Sequence, residues 1–353
     1  MNNNGAAPSR MTETSVPLSC VCVISVQETK LRPELIKSVA KRLPLNLRGL
    51  LPALVITGMS FCIATAWGQV ASKPPQLAIT FDDLPAHGPL PPGETRIEVA
   101  AKILRAMHDA KLPPIYGFVN GVAISKNPGD AAVLDAWRDA GNPLGNHGWS
   151  HLNLNQTSAS DFEQDVARNE PVLSERTKGA DWHWFRYPFL AEGETPEKRT
   201  AFREFLSQNG YKVAAVTMSF ADYEWNEPYA RCKAKGDAAA IAALGESYLK
   251  AADQSADYYR GLSQTLFGRD IPYVLLMHIG AFDAEMLPKL LSLYKSKGFQ
   301  FVTLQDAEHD EFYRSSIDLG LAAPDSLERG MAERHLPLPS RPAAATQLES
   351  LCR

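Results

Sequence analysis

The chain has 353 residues, of which 36 are Lys or Arg and 40 are Asp or Glu, giving a formal charge of −4 with 45% hydrophobic residues. This composition excludes a wholly disordered chain, and the lack of a basic excess excludes a nucleic-acid binder, whose phosphate contacts require one. Five cysteines are too few for a disulfide-rich scaffold, and the length allows one large domain or two small ones.

Residues 1–66 hold seven Lys/Arg and three acidic residues, so the acidic excess lies in the rest of the chain. A basic region at about 37–48 (Lys37, Lys41, Arg42, Arg48) precedes an apolar stretch at 49–66 that ends in Ala64-Thr65-Ala66. Basic, apolar and small-residue regions in that order predict a secretory signal, with cleavage before Trp67 and a secreted or periplasmic product that keeps no stable membrane span. Because such signals run ~15–30 residues, the true start is expected downstream, for example at Val39. The rivals are an uncleaved anchor, since a spanning helix needs ~20 residues, and a buried helix of the folded domain. Pro52 and Gly58 favour cleavage. Removal of the segment takes away Cys20, Cys22 and Cys62. Cys232 and Cys352 then either form one disulfide, tying the C-terminal tail to an internal segment, or remain thiols.

From residue 77 onward, short apolar runs alternate with stretches of helical periodicity. Strands are predicted at 77–81, 115–119, 143–147, 182–188, 213–218, 273–279 and 299–304. Helices are predicted at 94–110, 129–140, 160–176, 196–208 and 283–296, with one long or two consecutive helices at 237–267. Asn209-Gly210 ends one of them with a C-cap signal. Residues 221–236 read as a long loop. This alternation implies parallel strands with crossover helices, an α/β fold. About seven strands suit a (β/α) barrel of one catalytic domain, with an open doubly wound sheet as the alternative. The expected organisation is a 1–66 extension, a 67–312 domain and a 313–353 tail.

Active sites of such folds lie at the C-terminal ends of the strands. The polar residues expected there are Asp82, Asp83, His147, His151, Arg186 and His278. Adjacent carboxylates on a strand point apart, but at a strand end the turning chain lets both reach one site. His147 and His151 are spaced i, i+4, which places two imidazoles on one side of a helical turn. With one carboxylate they make an open three-point face for a divalent ion, Zn²⁺ or, by ligand type, Co²⁺ or Ni²⁺. Arg186, flanked by aromatics, needs a carboxylate partner, for which Asp82 is the candidate. His278 lies in an apolar run at a strand end. His87, His108, His183 and His309 match no constellation and read as structural.

The segments Thr80-Phe81-Asp82-Asp83-Leu84-Pro85, Gly145-Asn146-His147-Gly148-Trp149-Ser150-His151, Arg186-Tyr187-Pro188-Phe189 and Leu276-Met277-His278 resemble, in this order, the polysaccharide deacetylases (carbohydrate esterase family 4). The resemblance covers about 77–306 and implies a distorted (β/α)₇ barrel. It also implies Asp82 as general base, Asp83, His147 and His151 as metal ligands, and Arg186 as the residue that orients the base. Phe189 would offer its backbone N–H to an oxyanion, Leu276 would line an acetyl pocket, and His278 would be the general acid. The family's tryptophan-bearing segment is loosely matched by Asp222, Tyr223 and Trp225, of which Asp222 and Trp225 would bind substrate. The sequence departs from the family at Leu84 (Gly in the family), Gly148 (Ser or Thr), Phe189 (Tyr) and Ile279 (Asp), and a bulkier Leu84 would reshape the groove. The implied activity is removal of N-acetyl groups from an acetylated polysaccharide such as peptidoglycan or a chitin-like glycan. The alternatives are an O-acetyl xylan-type esterase or an inactive carbohydrate-binding protein.

Overall fold

Strand β1 (Gln76–Leu84) is buried along almost its whole length, as befits a strand covered on both faces. In the computed structural model, which describes residues 73–322, 326–342 and 348–353, six further strands follow. They are β2 (Gly117–Val119), β3 (Leu144–Asn146), β4 (Trp184–Phe185), β5 (Lys212–Val213), β6 (Tyr273–His278) and β7 (Gln300–Phe301). The predicted signal segment, its cleavage position and the proposed downstream start lie outside the described residues.

The sheet runs β5-β4-β3-β2-β1-β6, with β7 also paired to β1, and every pairing is parallel. The crossovers are supplied by α1 (Arg96–Asp109), α2 (Ala131–Asp139), α3 (Ala159–Arg176), α4 (Pro196–Gln208), α5 (Asn226–Lys235), α6 (Ala238–Phe267) and α7 (Ala281–Ser296). The result is the expected α/β architecture, a distorted (β/α)₇ barrel in one domain.

Local chemistry explains the helix starts. Thr95 and Glu98 form a reciprocal capping box at α1, Thr195 caps α4 with Pro196 in its first turn, and Asp237 caps the single 30-residue α6. The α1 stripe Val99, Ala100, Ile103 and Met107 is buried, the face that its 3.6-residue period predicts.

Two expectations are corrected. The strand predicted at 213–218 shrinks to β5, because Glu308 Oε1 accepts the Ala215 N–H at 2.8 Å in place of a neighbouring strand. The chain reaches β6 afterwards through an isolated parallel bridge between Met218 and Leu275. The loop predicted at 221–236 is instead a 3₁₀ turn, Asp222–Trp225, followed by α5. Its polar sequence hid Trp225, Tyr229 and Cys232, which are buried.

The C-terminal region packs onto the domain. Leu327 and Met331 of the short helix Leu327–Glu333 are buried, and Cys232 and Cys352 form a disulfide across 120 residues of sequence. Closing so long a loop restricts the unfolded chain, so Cys352→Ser is expected to lower unfolding free energy by about 2–4 kcal/mol, measured by denaturant titration under oxidising conditions. An unchanged midpoint and slope would remove the bond from the stabilising contacts.

Candidate active site

The strand ends of β1, β3, β4 and β6 deliver the candidate residues to one place. Asp82 and His278 are register partners across β1 and β6. Asp83 has φ of 65°, and this left-handed residue turns the chain so that both carboxylates reach the same side. Asp82 Oδ2 lies 3.6 Å from His147 Nε2, and Asp83 Oδ1 lies 3.5 Å from the same atom.

Asp83 Oδ1 also lies 3.4 Å from His151 Nε2. An ion with tetrahedral ligands at about 2.0–2.2 Å keeps neighbouring ligand atoms roughly 3.3–3.6 Å apart, and the two Asp83–imidazole separations fall in that range. Asp83 Oδ1 is buried without a hydrogen-bond partner, which costs free energy unless something else neutralises it. His147 Nδ1 sits 2.8 Å from the Arg186 carbonyl, so its proton is held there and the Nε2 lone pair faces Asp83. Asp83, His147 and His151 therefore fit a divalent cation.

The helical turn predicted for His147 and His151 is absent. The segment is irregular, with φ of 73° at Gly148 and 58° at His151, and it is pinned by side chains. Asn146 Oδ1 accepts from Gly148 N at 2.9 Å, Asn120 Nδ2 donates to the carbonyls of His147 and Gly148, and Asp165 accepts from Ser150 N. Gly148 is needed on two counts. Its φ is one that side chains rarely adopt, and a Cβ there would stand 2.9 Å from Asp165 Oδ2.

Arg186 is buried, and its Nη1 lies 3.2 and 3.3 Å from the two Asp82 oxygens. Nη2 donates to Thr80 Oγ1 at 3.0 Å and Nε to the Ala214 carbonyl at 2.8 Å. The expected partner is thus the real one, and the guanidinium is fixed on three sides.

His278 Nδ1 lies 3.0 Å from Asp222 Oδ1, and its backbone N–H donates to Asp222 Oδ2 at 2.6 Å. Asp222 is fully buried, so its expected contact with substrate is corrected: it is the partner of His278. Trp225 is likewise corrected. It is buried against Phe220 and Tyr248, with Nε1 donating to Ser247 Oγ at 2.8 Å, and serves as core. The exposed aromatic of that segment is Tyr223, 44% exposed, with its ring centroid 5.1 Å from that of His278.

Phe189 is 63% exposed with φ of 57°, its ring 4.4 Å from that of His151. Leu276 precedes His278 by two residues, hence on the same face of β6, and is nearly buried. Leu84 does not reshape a groove. Its side chain is buried and packs where a Cβ on Gly117 would lie, 2.5 Å from that position. Ile279 is buried too, with its N–H directed at the Asp82 carbonyl.

One residue was missed. His87, read as structural, has Nδ1 2.6 Å from Asp83 Oδ2 and its ring 4.7 Å from that of His278. The available signal was its i, i+4 spacing from Asp83 just past a strand end.

The charge states follow from the packing. Burial opposes the Asp83 charge, but the nearby His147 imidazole and the His87 contact hold its pKa well below the usual carboxylate value. Burial and the neighbouring His147 push the His151 pKa down to about 4, which leaves a neutral imidazole with a lone pair available to a cation. Burial also works against the charged form of His278, but the Asp222 carboxylate outweighs it and raises the pKa to about 10. Behind this pair, Asp283 is pushed well above the usual range by burial and by the charge of Asp222. It lies 2.9 Å from the Tyr248 hydroxyl and accepts from Asn226 at 2.8 Å.

No protein of curated function matches the chain. Among solved structures, a mutant of a CE4 family pseudoenzyme with restored enzymatic activity is 14% identical, covering 67% of this chain and 68% of that one with a TM-score of 0.47. A family 4 carbohydrate esterase from Streptomyces lividans in complex with acetate is 18% identical over 67% and 97%, with a TM-score of 0.43. The chitin deacetylase of the fungal pathogen Colletotrichum lindemuthianum is 20% identical over 66% and 87%, with a TM-score of 0.47. The family model for polysaccharide deacetylase matches residues 69–214, the segment that carries Asp82, Asp83, His147, His151 and Arg186. Over those residues the chain thus matches the polysaccharide deacetylase family, as the motifs around Asp82 and His147 imply.

Proposed function

We propose that the protein is a secreted, metal-dependent hydrolase that removes N-acetyl groups from an amino-sugar polymer such as peptidoglycan or a chitin-like glycan. The observation that carries this is the orphaned oxygen of Asp83 facing two imidazoles, between Asp82 on Arg186 and His278 on Asp222. Zinc is the first candidate for this ligand set, with cobalt or nickel compatible. When bound, the ion would supply Lewis acidity toward a carbonyl and acidify water.

The side chains would do the rest. Asp82, held by Arg186, accepts the proton of an attacking water. His278 keeps a proton for the departing nitrogen, and an amine leaves only once protonated. That is why the His278–Asp222 pair favours amide over ester cleavage. The Phe189 N–H is the candidate donor to the developing oxyanion. A cavity of about 620 Å³ adjoins the site, sharing Arg186 and Tyr223 with it and lined further by Tyr187, Tyr258, Tyr259 and Arg341. That volume is within the ~300–1,000 Å³ of ligand sites, and the tyrosines lie among the paired charges Arg329–Glu192 and Arg341–Glu328. Export is supported by the basic and apolar segments at 37–66 and by the disulfide, which persists in oxidising compartments. Among the described residues no helix is long and apolar enough to cross a membrane.

The test is acetate release from a panel of N-acetylglucosamine oligomers, peptidoglycan and acetylated xylan, with and without a chelator. Chelator-sensitive release from the amino sugars is expected. Release from xylan alone would make it an O-acetyl esterase, and neither metal nor release would leave a binding protein. Metal saturation at 100 Kd should also raise stability by about 2.7 kcal/mol, visible as a higher unfolding temperature.

A further inference from the structure

The two oxygens of Asp83 stand in different surroundings. Oδ1 is buried, lacks a hydrogen-bond partner and faces His147 and His151. Oδ2 lies 2.6 Å from His87 Nδ1. That separation is right for a charge-assisted hydrogen bond. It is too short for two ligands of one tetrahedral ion, which lie roughly 3.3–3.6 Å apart.

The distinction decides between two places for an ion. Asp83, His87 and His278 also come within coordinating range of one another, as Asp83, His147 and His151 do. On the side of the first trio, however, Asp83 Oδ2 is already engaged by His87 Nδ1, whereas Oδ1, on the side of His147 and His151, has no hydrogen-bond partner. His87 is itself held in place. Its ring packs against those of His278 and Tyr223, with centroids 4.7 and 6.0 Å away. Arg96 donates to the carbonyls of His87 and Gly88 at 2.9 and 2.6 Å.

We propose that His87 is a positioning residue of the metal site: its Nδ1–H holds Asp83 Oδ2, turns Oδ1 toward His147 and His151, and so selects that trio for the ion. The inference rests on the metal-dependent reading above and goes beyond it by assigning a residue outside the four family motifs. The residue acts through Asp83 and touches neither ion nor substrate.

The experiment measures zinc affinity of the intact protein, stripped and then titrated against a chromophoric chelator, with circular dichroism confirming the fold of each variant. His87→Phe keeps a ring between Tyr223 and His278 but has no donor. His87→Asn restores a nitrogen donor close to the place of Nδ1. His87→Phe is expected to weaken zinc binding by about 10–100-fold, and His87→Asn to recover it to within about threefold of the native protein, the range that outer-shell partners command. Native affinity in His87→Phe overturns the proposal, as does an equal loss in both variants. Zinc kept by His151→Phe but lost in both His87 variants would put the ion on the other trio and also overturn it. A native protein that binds no zinc, cobalt or nickel would overturn the metal-dependent reading itself, a result distinct from the others.

Discussion

Asp82→Asn is expected to lower the rate of acetate release by about 10²–10⁴, the contribution of a positioned general base, while metal content stays at the native level. The separation of the two effects follows from the geometry. Asp82 and Asp83 are neighbours in sequence, but the left-handed turn at Asp83 gives them different partners. Asp83 Oδ1 faces His147 and His151, whereas both oxygens of Asp82 face the Arg186 guanidinium. Asn keeps the shape and one acceptor for Arg186 but cannot take a proton from water. The substitution also leaves the buried Arg186 without its counter-charge, and breaking a buried pair costs about 3–5 kcal/mol. Stability must therefore be measured beside turnover. A folded, metal-loaded Asp82→Asn enzyme with native turnover would remove Asp82 from the mechanism. Loss of metal in that variant would instead mean that Asp82 is itself a ligand, as its 3.6 Å approach to His147 Nε2 would then indicate.

Much of this site was legible in the sequence because strand ends are. The apolar runs at 77–81 and 273–279 mark β1 and β6, and the polar residues that end them, Asp82, Asp83 and His278, have little room to lie elsewhere. Arg186 among aromatics demanded a carboxylate, and Asp82 answers it at 3.2 Å. The failures have a common cause, which is reliance on local pattern where tertiary contacts decide. The spacing of His147 and His151 predicts helical geometry, yet they converge through two left-handed residues and the amides of Asn120 and Asn146. Asp222 and Trp225 looked like groove residues on a polar loop. Both are buried because α6 covers that segment, with Trp225 bonded to Ser247. His87 is only weakly marked in the sequence, because its single i, i+4 relation to Asp83 has no periodic pattern to support it. Its partner Asp83 appears only when the chain doubles back after β1, where Ala86 N–H donates to the Asp83 carbonyl at 2.7 Å.

Asp222→Asn should show that the proton on His278 is controlled from a position substrate never touches. In the native protein the Asp222 carboxylate offsets the burial penalty and carries the His278 pKa to about 10, so the acid form persists through neutral pH. The sign is that of a raised histidine. The stability contributed by the pair is fully present below an unfolded pKa of about 6.5 and is lost as pH climbs through about 10. Activity that needs protonated His278 has its alkaline limb at the same upper value. Asn at 222 retains an oxygen for the His278 backbone N–H but not the charge. Burial is then opposed only by the charges of Asp83 and Asp82, and the pKa falls toward the ordinary value of about 6.5. At pH 8 only about 3% of such an imidazole is protonated, so turnover should fall roughly 30-fold and recover as the pH is lowered toward 6. The informative measurement is the pH dependence of kcat for the metal-loaded native and variant enzymes. A uniform loss at every pH would make Asp222 a scaffold for β6, whereas displacement of the alkaline limb by several pH units assigns it control of the acid. An unmoved limb with native turnover would sever His278 from the chemistry.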